Sequence, residues 1–209
     1  MIKVTCAQVG IDIKRQLYDL QKELFRKVIH ICTAFIPLLL HYFYVPTLIA
    51  LALAGILYVI AEKMRMHGKE IPLISDITAA AARKRDENKF VLGPVTLVAG
   101  VVLAALLWKE VPAAIGILAL SFGDGLASLA GKAIGKIRIP FTFGKTAAGS
   151  LTCFWAIFCS SFLVCKNCFV SLVVALIGMG IEILPLKDFD NVLIPVLLGG
   201  VAQYLLPHI

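Results

Sequence analysis

One carboxylate stands in an apolar stretch of the chain, where a charge is costly. Asp124 is the only charged residue between Val111 and Gly131, a run long enough to cross a lipid bilayer. A charged side chain inside a membrane helix costs about 2.5 kcal/mol or more, so such a residue indicates a functional site. We predict that Asp124 belongs to such a site. A structural hydrogen bond to a neighbouring helix is the alternative.

Charged residues recur at helical spacing before the first apolar segment. Glu23, Arg26, Lys27 and His30 are three, four and seven residues apart, which places them on one face of a helix. A basic membrane anchor with an ordinary Glu–Lys pair would leave the same charges. His30, however, lies inside the apolar segment, and an anchor does not need it. The spacing therefore favours a functional face that includes Arg26, Lys27 and His30.

A cluster of Lys, Thr, Gly and Ser precedes the apolar segment that begins at Leu151. The tripeptide 144–146 resembles the end of a P-loop, but Ile139 stands where that motif needs its earlier glycine. The free N–H groups at the start of a helix can nevertheless bind phosphate. The predicted phosphate contacts here are Lys145, Thr146, Gly149 and Ser150, and we predict a catalytic role for Lys145.

Two more basic residues are candidates for phosphate binding. Lys132 follows Asp124 and Ser128 at intervals of four residues, so the three form a stripe along one helix. Arg83 lies in the polar connection 62–90, after a plausible helix start. Anchoring of that connection at the lipid surface is the alternative for Arg83.

Oxygen ligands gather around the end of a later apolar segment. Glu182 lies within that segment, and Asp190 and Asn191 follow it closely. Mg²⁺ is usually bound by one or two carboxylates together with substrate phosphates. An Asp-rich turn would explain the later residues but not Glu182, which we predict to be catalytic. The predicted magnesium ligands are Glu23, Asp124, Asp190 and Asn191.

The elements that must position these residues are membrane helices. The chain of 209 residues is 60% hydrophobic with a mean hydropathy of +0.92, whereas soluble domains are roughly 45–50% apolar. The composition predicts an all-α, polytopic membrane helix bundle, one catalytic domain over 1–209 with cytoplasmic parts at 1–27 and 62–90. The seven apolar segments are Val28–His41, Val45–Ala61, Val91–Trp108, Val111–Gly131, Leu151–Cys165, Cys168–Leu186 and Val192–Leu206.

The distribution of basic residues predicts the orientation. With seven helices, 18 of the 20 Lys and Arg residues fall on the side of the N-terminus, which is therefore predicted to be cytoplasmic. That basic face suits anionic lipids or nucleotide phosphates, and nothing in it resembles a nucleic-acid-binding motif. The short chain suits a bacterial cytoplasmic membrane. Cys165 and Cys168 fall in a predicted outer turn. They are either small apolar residues at helix ends or a pair that forms a disulfide or binds a metal.

All the polar groups converge on the predicted cytoplasmic boundary. Carboxylates and lysines around a magnesium ion are what phosphoryl transfer requires, because that reaction depends on charge neutralisation and positioning. The donor would be cytosolic, and the acceptor would be a lipid hydroxyl.

The ordered motifs resemble the polyprenol and phytol kinase family, which includes dolichol kinase and the CTP-dependent diacylglycerol kinase. The resemblance covers most of the chain and is closest to the phytol kinase-like branch. Ala148 departs from dolichol kinases, which often have Glu before Gly-Ser. The matching motifs are Glu23-x-x-Arg26-Lys27-x-x-His30, Gly123-Asp124-Gly125-x-Ala127-x-x-x-Gly131-x-x-x-Gly135, Pro140-Phe141, Lys145-Thr146-x-x-Gly149-Ser150 and Glu182-x-x-Pro185 with Asp190-Asn191-x-x-x-Pro195.

This resemblance implies an enzyme that transfers the terminal phosphate of CTP, with Mg²⁺, to a membrane lipid alcohol: a phytol- or prenol-like alcohol or diacylglycerol. It also implies that Asp124 is catalytic, as a metal ligand or as the base for the acceptor hydroxyl, and that Arg26, Lys27 and His30 bind nucleotide phosphate. The family is similar to the phosphatidate cytidylyltransferases, so a transferase that makes a CDP-lipid is one alternative. A transporter that uses Asp124, Glu182 and His30 as an ion relay is the non-enzymatic alternative. ATP in place of CTP is also open.

Overall fold

The computed structural model describes residues 21, 23–68, 89–140, 142 and 144–206, which form helices and connecting loops. No strand occurs in these ranges, where one isolated bridge joins Arg138 to Thr146. The all-α prediction is therefore confirmed for the described residues. Their helices are α1 (Glu23–Tyr42), α2 (Tyr44–Met66), α3 (Gly93–Leu107), α4 (Glu110–Ile134), α5 (Ala147–Cys165), α6 (Cys168–Ile183) and α7 (Asp190–Leu205).

Each predicted apolar segment corresponds to one helix, with shifted ends. α1 already includes Glu23, so the charged face before Val28 is helical. α1 and α2 divide at Phe43, and Pro46 lies in the first turn of α2, where its missing N–H has no helical acceptor. α6 ends at Ile183, short of the predicted Leu186, because Pro185 favours an extended conformation at the residue before it.

Four of the described helices are long and apolar enough to cross a membrane, namely α1, α2, α4 and α5. The other three are apolar but shorter. Large apolar side chains along α2, among them Ile49, Leu53 and Leu57, are more than half exposed. An outward apolar surface of this kind is suited to lipid contact. The seven-span topology and the cytoplasmic N-terminus stay predictions.

α4 is the central helix of the described bundle, because it contacts α1, α3, α5, α6 and α7. Its side chains Ile115 and Leu120 are fully buried, as are Ile157 of α5 and Leu198 of α7. Two glycines allow α7 to lie against its neighbours. A Cβ on Gly100 would stand 2.1 Å from the Asn191 carbonyl oxygen of α7. A Cβ on Gly116 would stand 2.2 Å from the Pro195 carbonyl oxygen of the same helix.

Candidate functional site

The backbone of α4 changes its winding where it carries Asp124. Residues Ala119–Asp124 form a π-helical segment between two α-helical halves. Such segments are rare and occur frequently at functional sites. A Cβ on Gly123 would lie 2.8 Å from Ile157 of α5, and one on Gly125 would lie 3.1 Å from Ile31 of α1. The two glycines thus allow α1 and α5 to close in around the carboxylate.

Two side chains of α1 lie against the Asp124 carboxylate. Lys27 Nζ donates to Asp124 Oδ2 at 2.5 Å, and His30 Nδ1 lies 3.2 Å from the same oxygen. The Lys27 side chain is 1% exposed and that of Asp124 is 8% exposed. Of the four residues on the predicted face of α1, Lys27 and His30 therefore meet at this carboxylate.

Glu23 is the second carboxylate between α1 and α4. Its Oε1 accepts from Arg26 Nη2 at 2.6 Å and from Ser128 Oγ at 2.8 Å, while Lys132 Nζ lies 3.3 Å from Oε2. The sequence places Ser128 on the same stripe as Asp124 but does not include it among the predicted ligands. Ser128 follows Asp124 by four residues, and this spacing already indicates that Ser128 faces the same site.

The loop between α4 and α5 folds back on itself and presents Lys145. Ile139 N–H donates to the Lys145 carbonyl at 2.9 Å, and Gly144 has a φ of 95°, in the region that favours glycine. Thr146 caps α5, since its hydroxyl accepts from the Gly149 N–H at 3.2 Å. A Cβ on Gly131 would lie only 2.9 Å from that hydroxyl. Glycines of α4 thus make room for the start of α5.

Lys145 is paired with Glu182 near the end of α6. Lys145 Nζ donates to Glu182 Oε1 at 2.5 Å, and Ser150 Oγ donates to Oε2 at 3.2 Å. Glu182 is 5% exposed, whereas Lys145 is 33% exposed. This pair therefore has one buried partner and one partner that reaches solvent.

Both groups of charges line one cavity of about 610 Å³. Small-molecule sites typically measure roughly 300–1,000 Å³. The cavity lies where α1, α5 and α7 begin and where α4 and α6 end, so all its walls are at one end of the bundle. Nine charged side chains of the described residues line it: Glu23, Arg26, Lys27, Asp124, Lys132, Lys145, Glu182, Lys187 and Asp190.

Three predicted site residues of the described ranges, His30, Ser150 and Asn191, do not line the cavity. Asn191 Nδ2 donates to Thr96 Oγ1 at 3.0 Å and to the Gly93 carbonyl at 3.3 Å, so this amide joins α7 to α3 and is not part of the cavity lining. Ser150 lies behind the lining, against Glu182. Arg83 lies outside the described residues. Lys187 lines the cavity although the sequence did not single it out.

The described residues include no group of three or more His, Cys, Asp or Glu side chains arranged to hold a metal ion. Asp124, Glu23 and Glu182 are instead each held by a cation. Magnesium commonly takes only one or two protein carboxylates and completes its shell with phosphate and water. The described residues therefore offer single carboxylates at the cavity wall to a metal ion, and not a preformed cage.

The fold and the site together define a class of protein: a bundle of apolar helices with a charged cavity at one end. Curated phytol kinases are similar to the chain. It is 27% identical to phytol kinase of Synechocystis over 195 residues, which cover 88% of this chain and 81% of that protein. It is 30% identical over 141 residues to a probable chloroplastic phytol kinase of Glycine max and 27% identical over 145 residues to one of Oryza sativa, each match covering 66% of the chain.

These similarities confirm the resemblance to the polyprenol and phytol kinase family, and they support a lipid-alcohol kinase at the level of the family. The chain spans less than half the length of the two plant relatives, 44% and 46%. No family model and no solved structure matches the chain.

Proposed function

We propose that this chain is a kinase that transfers the terminal phosphate of CTP to the hydroxyl of a phytol- or prenol-like lipid, at the cytoplasmic face of a bacterial membrane. The observation that carries the proposal is the cavity in which the buried Asp124 shares walls with lysines of α1, α4 and the following loop. The names of the relatives favour a phytol-like acceptor over diacylglycerol.

The exposed cations of the cavity are the proposed phosphate ligands. Lys132 is 46% exposed and Lys145 is 33% exposed, so both ammonium groups can reach a bound nucleotide. Arg26 of α1 adds a guanidinium to the cavity lining. Phosphoryl transfer is accelerated mainly by neutralising and positioning the phosphate oxygens, which is what such cations do.

Asp124 is the proposed partner of the lipid hydroxyl. As the hydroxyl oxygen bonds to the terminal phosphorus, the bond from phosphorus to the bridging oxygen breaks, CDP leaves, and the hydroxyl proton passes to Asp124. Lys27 is buried against this carboxylate, so in this proposal it positions Asp124 together with His30 and does not contact phosphate itself. Anionic lipids would adjoin the same basic face.

Magnesium, when bound with the nucleotide, would supply neutralisation of phosphate charge. Glu182 and Asp190 line the cavity and are the proposed carboxylate ligands. Glu23 is already occupied by three donors, and Asn191 is turned towards α3, so we do not assign a metal-binding role to either.

The test is product analysis of the purified protein in lipid nanodiscs. CTP labelled at the terminal phosphate, with Mg²⁺ and a panel of phytol, polyprenol and diacylglycerol, should give lipid monophosphate and an equal amount of CDP. Asp124→Asn should lower kcat by about 10²-fold or more, as loss of a general base does. Glu110→Gln is the matched control, because this exposed carboxylate lies at the opposite end of α4.

Two other results would redirect the assignment. Release of pyrophosphate with formation of a CDP-lipid would identify a cytidylyltransferase. If no lipid alcohol of the panel were phosphorylated with CTP or ATP, and the protein carried ions across proteoliposomes, the kinase would be excluded.

A further inference from the structure

Four of the five basic side chains that line the cavity form ion pairs with carboxylates of the same cavity. Five basic and four acidic side chains of the described residues line it, so its charge is close to balanced. Arg26 and Glu23 pair within α1 at 2.6 Å, whereas three other pairs join different elements of the fold. The pairs are Lys27–Asp124 at 2.5 Å, Lys132–Glu23 at 3.3 Å and Lys145–Glu182 at 2.5 Å.

The pairs differ in how readily they can separate. Lys27 and Asp124 are both buried, and separating a buried pair leaves charges without compensation. Lys145 is one-third exposed, so its ammonium can exchange the carboxylate for another anion at the cavity mouth. Glu182 cannot follow it to solvent, because that carboxylate is only 5% exposed.

We propose that Glu182 is an exchange residue that makes the cavity bind a polyphosphate and a divalent cation together, an inference that rests on the proposed kinase function. A phosphate group takes Lys145 from Glu182. The released carboxylate is buried and needs a new positive partner, which the divalent cation provides. Ser150 continues to hold the other oxygen of Glu182 through its hydroxyl during the exchange.

Each ligand alone meets an obstacle in this arrangement. A polyphosphate without a cation leaves the Glu182 charge stranded, and a cation without a polyphosphate must compete with Lys145. The two therefore favour each other's binding, and the coupling is reciprocal by thermodynamic necessity. The Lys27–Asp124 pair remains closed throughout.

Two substitutions test the exchange from opposite sides. Glu182→Gln removes the stranded charge, so CTP measured by calorimetry in EDTA should bind roughly tenfold more tightly than to the unmodified protein. Lys145→Gln removes the competing ammonium, so Mn²⁺ measured by electron paramagnetic resonance without nucleotide should bind more tightly by a similar factor. Glu110→Gln should change neither affinity, since it removes a carboxylate far from the cavity.

The exchange would be overturned if Glu182→Gln bound metal-free CTP no more tightly, or if Lys145→Gln bound Mn²⁺ no more tightly. Lys145 is partly exposed, so its variant keeps the test open even where Glu182→Gln does not fold. If the protein phosphorylates lipid but its variants show neither increase in affinity, only the exchange proposal is refuted. A protein that shows both gains but phosphorylates no lipid keeps the exchange and loses the kinase function.

Discussion

Removal of the Lys27 ammonium should destabilise the protein much more than removal of the Lys145 ammonium. Both nitrogens lie 2.5 Å from a carboxylate oxygen, but the Lys27 side chain is 1% exposed and the Lys145 side chain 33%. Lys27→Met leaves the Asp124 charge inside the bundle with His30 as its remaining neighbour at 3.2 Å. Lys145→Met leaves the Glu182 charge at the wall of the cavity, 5% exposed, with the Ser150 hydroxyl still donating to it.

The burial of each pair sets the expected magnitudes. Removing one partner of a buried ion pair costs about 3–5 kcal/mol, whereas an exposed pair contributes about 0–1 kcal/mol. Because Glu182 is itself buried, Lys145→Met should fall between these ranges. We expect Lys27→Met to lower the free energy of unfolding by at least about 2 kcal/mol more than Lys145→Met does.

The assay is unfolding in mixed micelles with increasing sodium dodecyl sulfate, followed by circular dichroism. A third variant, Lys27→Met with Asp124→Leu, replaces both charges by apolar groups. It should recover most of the lost stability, because apolar replacement of a whole buried pair is often neutral or better. If both single variants lost the same stability, or if the double variant recovered none, our account of the Lys27–Asp124 pair would be wrong.

Two further predictions concern packing away from the cavity. Gly100→Ala should lower the free energy of unfolding by at least about 1–3 kcal/mol, because the new Cβ would stand 2.1 Å from the Asn191 carbonyl oxygen. Gly180→Ala is the control in the same detergent titration. Its Cβ would meet nothing within 4 Å, so it should be neutral or stabilising. Glu62→Gln should lower the free energy of unfolding by about 1–3 kcal/mol, because the buried Glu62 carboxylate accepts hydrogen bonds from Arg65 and from the Val91 N–H. The kcat per folded molecule should not change. A lower kcat at unchanged stability would contradict a structural role for Glu62.

The sequence predicts the parts of the site that depend on the cost of a charge. Asp124 and Glu182 stand out because each is a carboxylate in an apolar helix, and both line the cavity. Their partners could not be predicted from spacing. Lys27 and Asp124 are 97 residues apart, and only the packing of α1 on α4 decides that they meet.

Asn191 shows why residue type alone misplaces a ligand. An amide beside Asp190 looks like an oxygen donor for the same metal, but the two side chains point to different sides of α7. The close contact of α7 with Gly100 sets its rotation and turns the Asn191 amide towards Thr96. Such a rotation depends on interhelical contacts that a hydropathy pattern does not contain.

The π segment of α4 makes the number of residues in this helix as important as their chemistry. An α-helix turns by about 100° per residue, so one extra residue within a turn rotates everything that follows by that angle. This rotation lets Gly116 face α7 while Asp124, further along the same helix, faces Lys27 of α1. A deletion of one residue within Ala119–Gly123 would keep every polar side chain of the cavity and still turn the carboxylate away from Lys27.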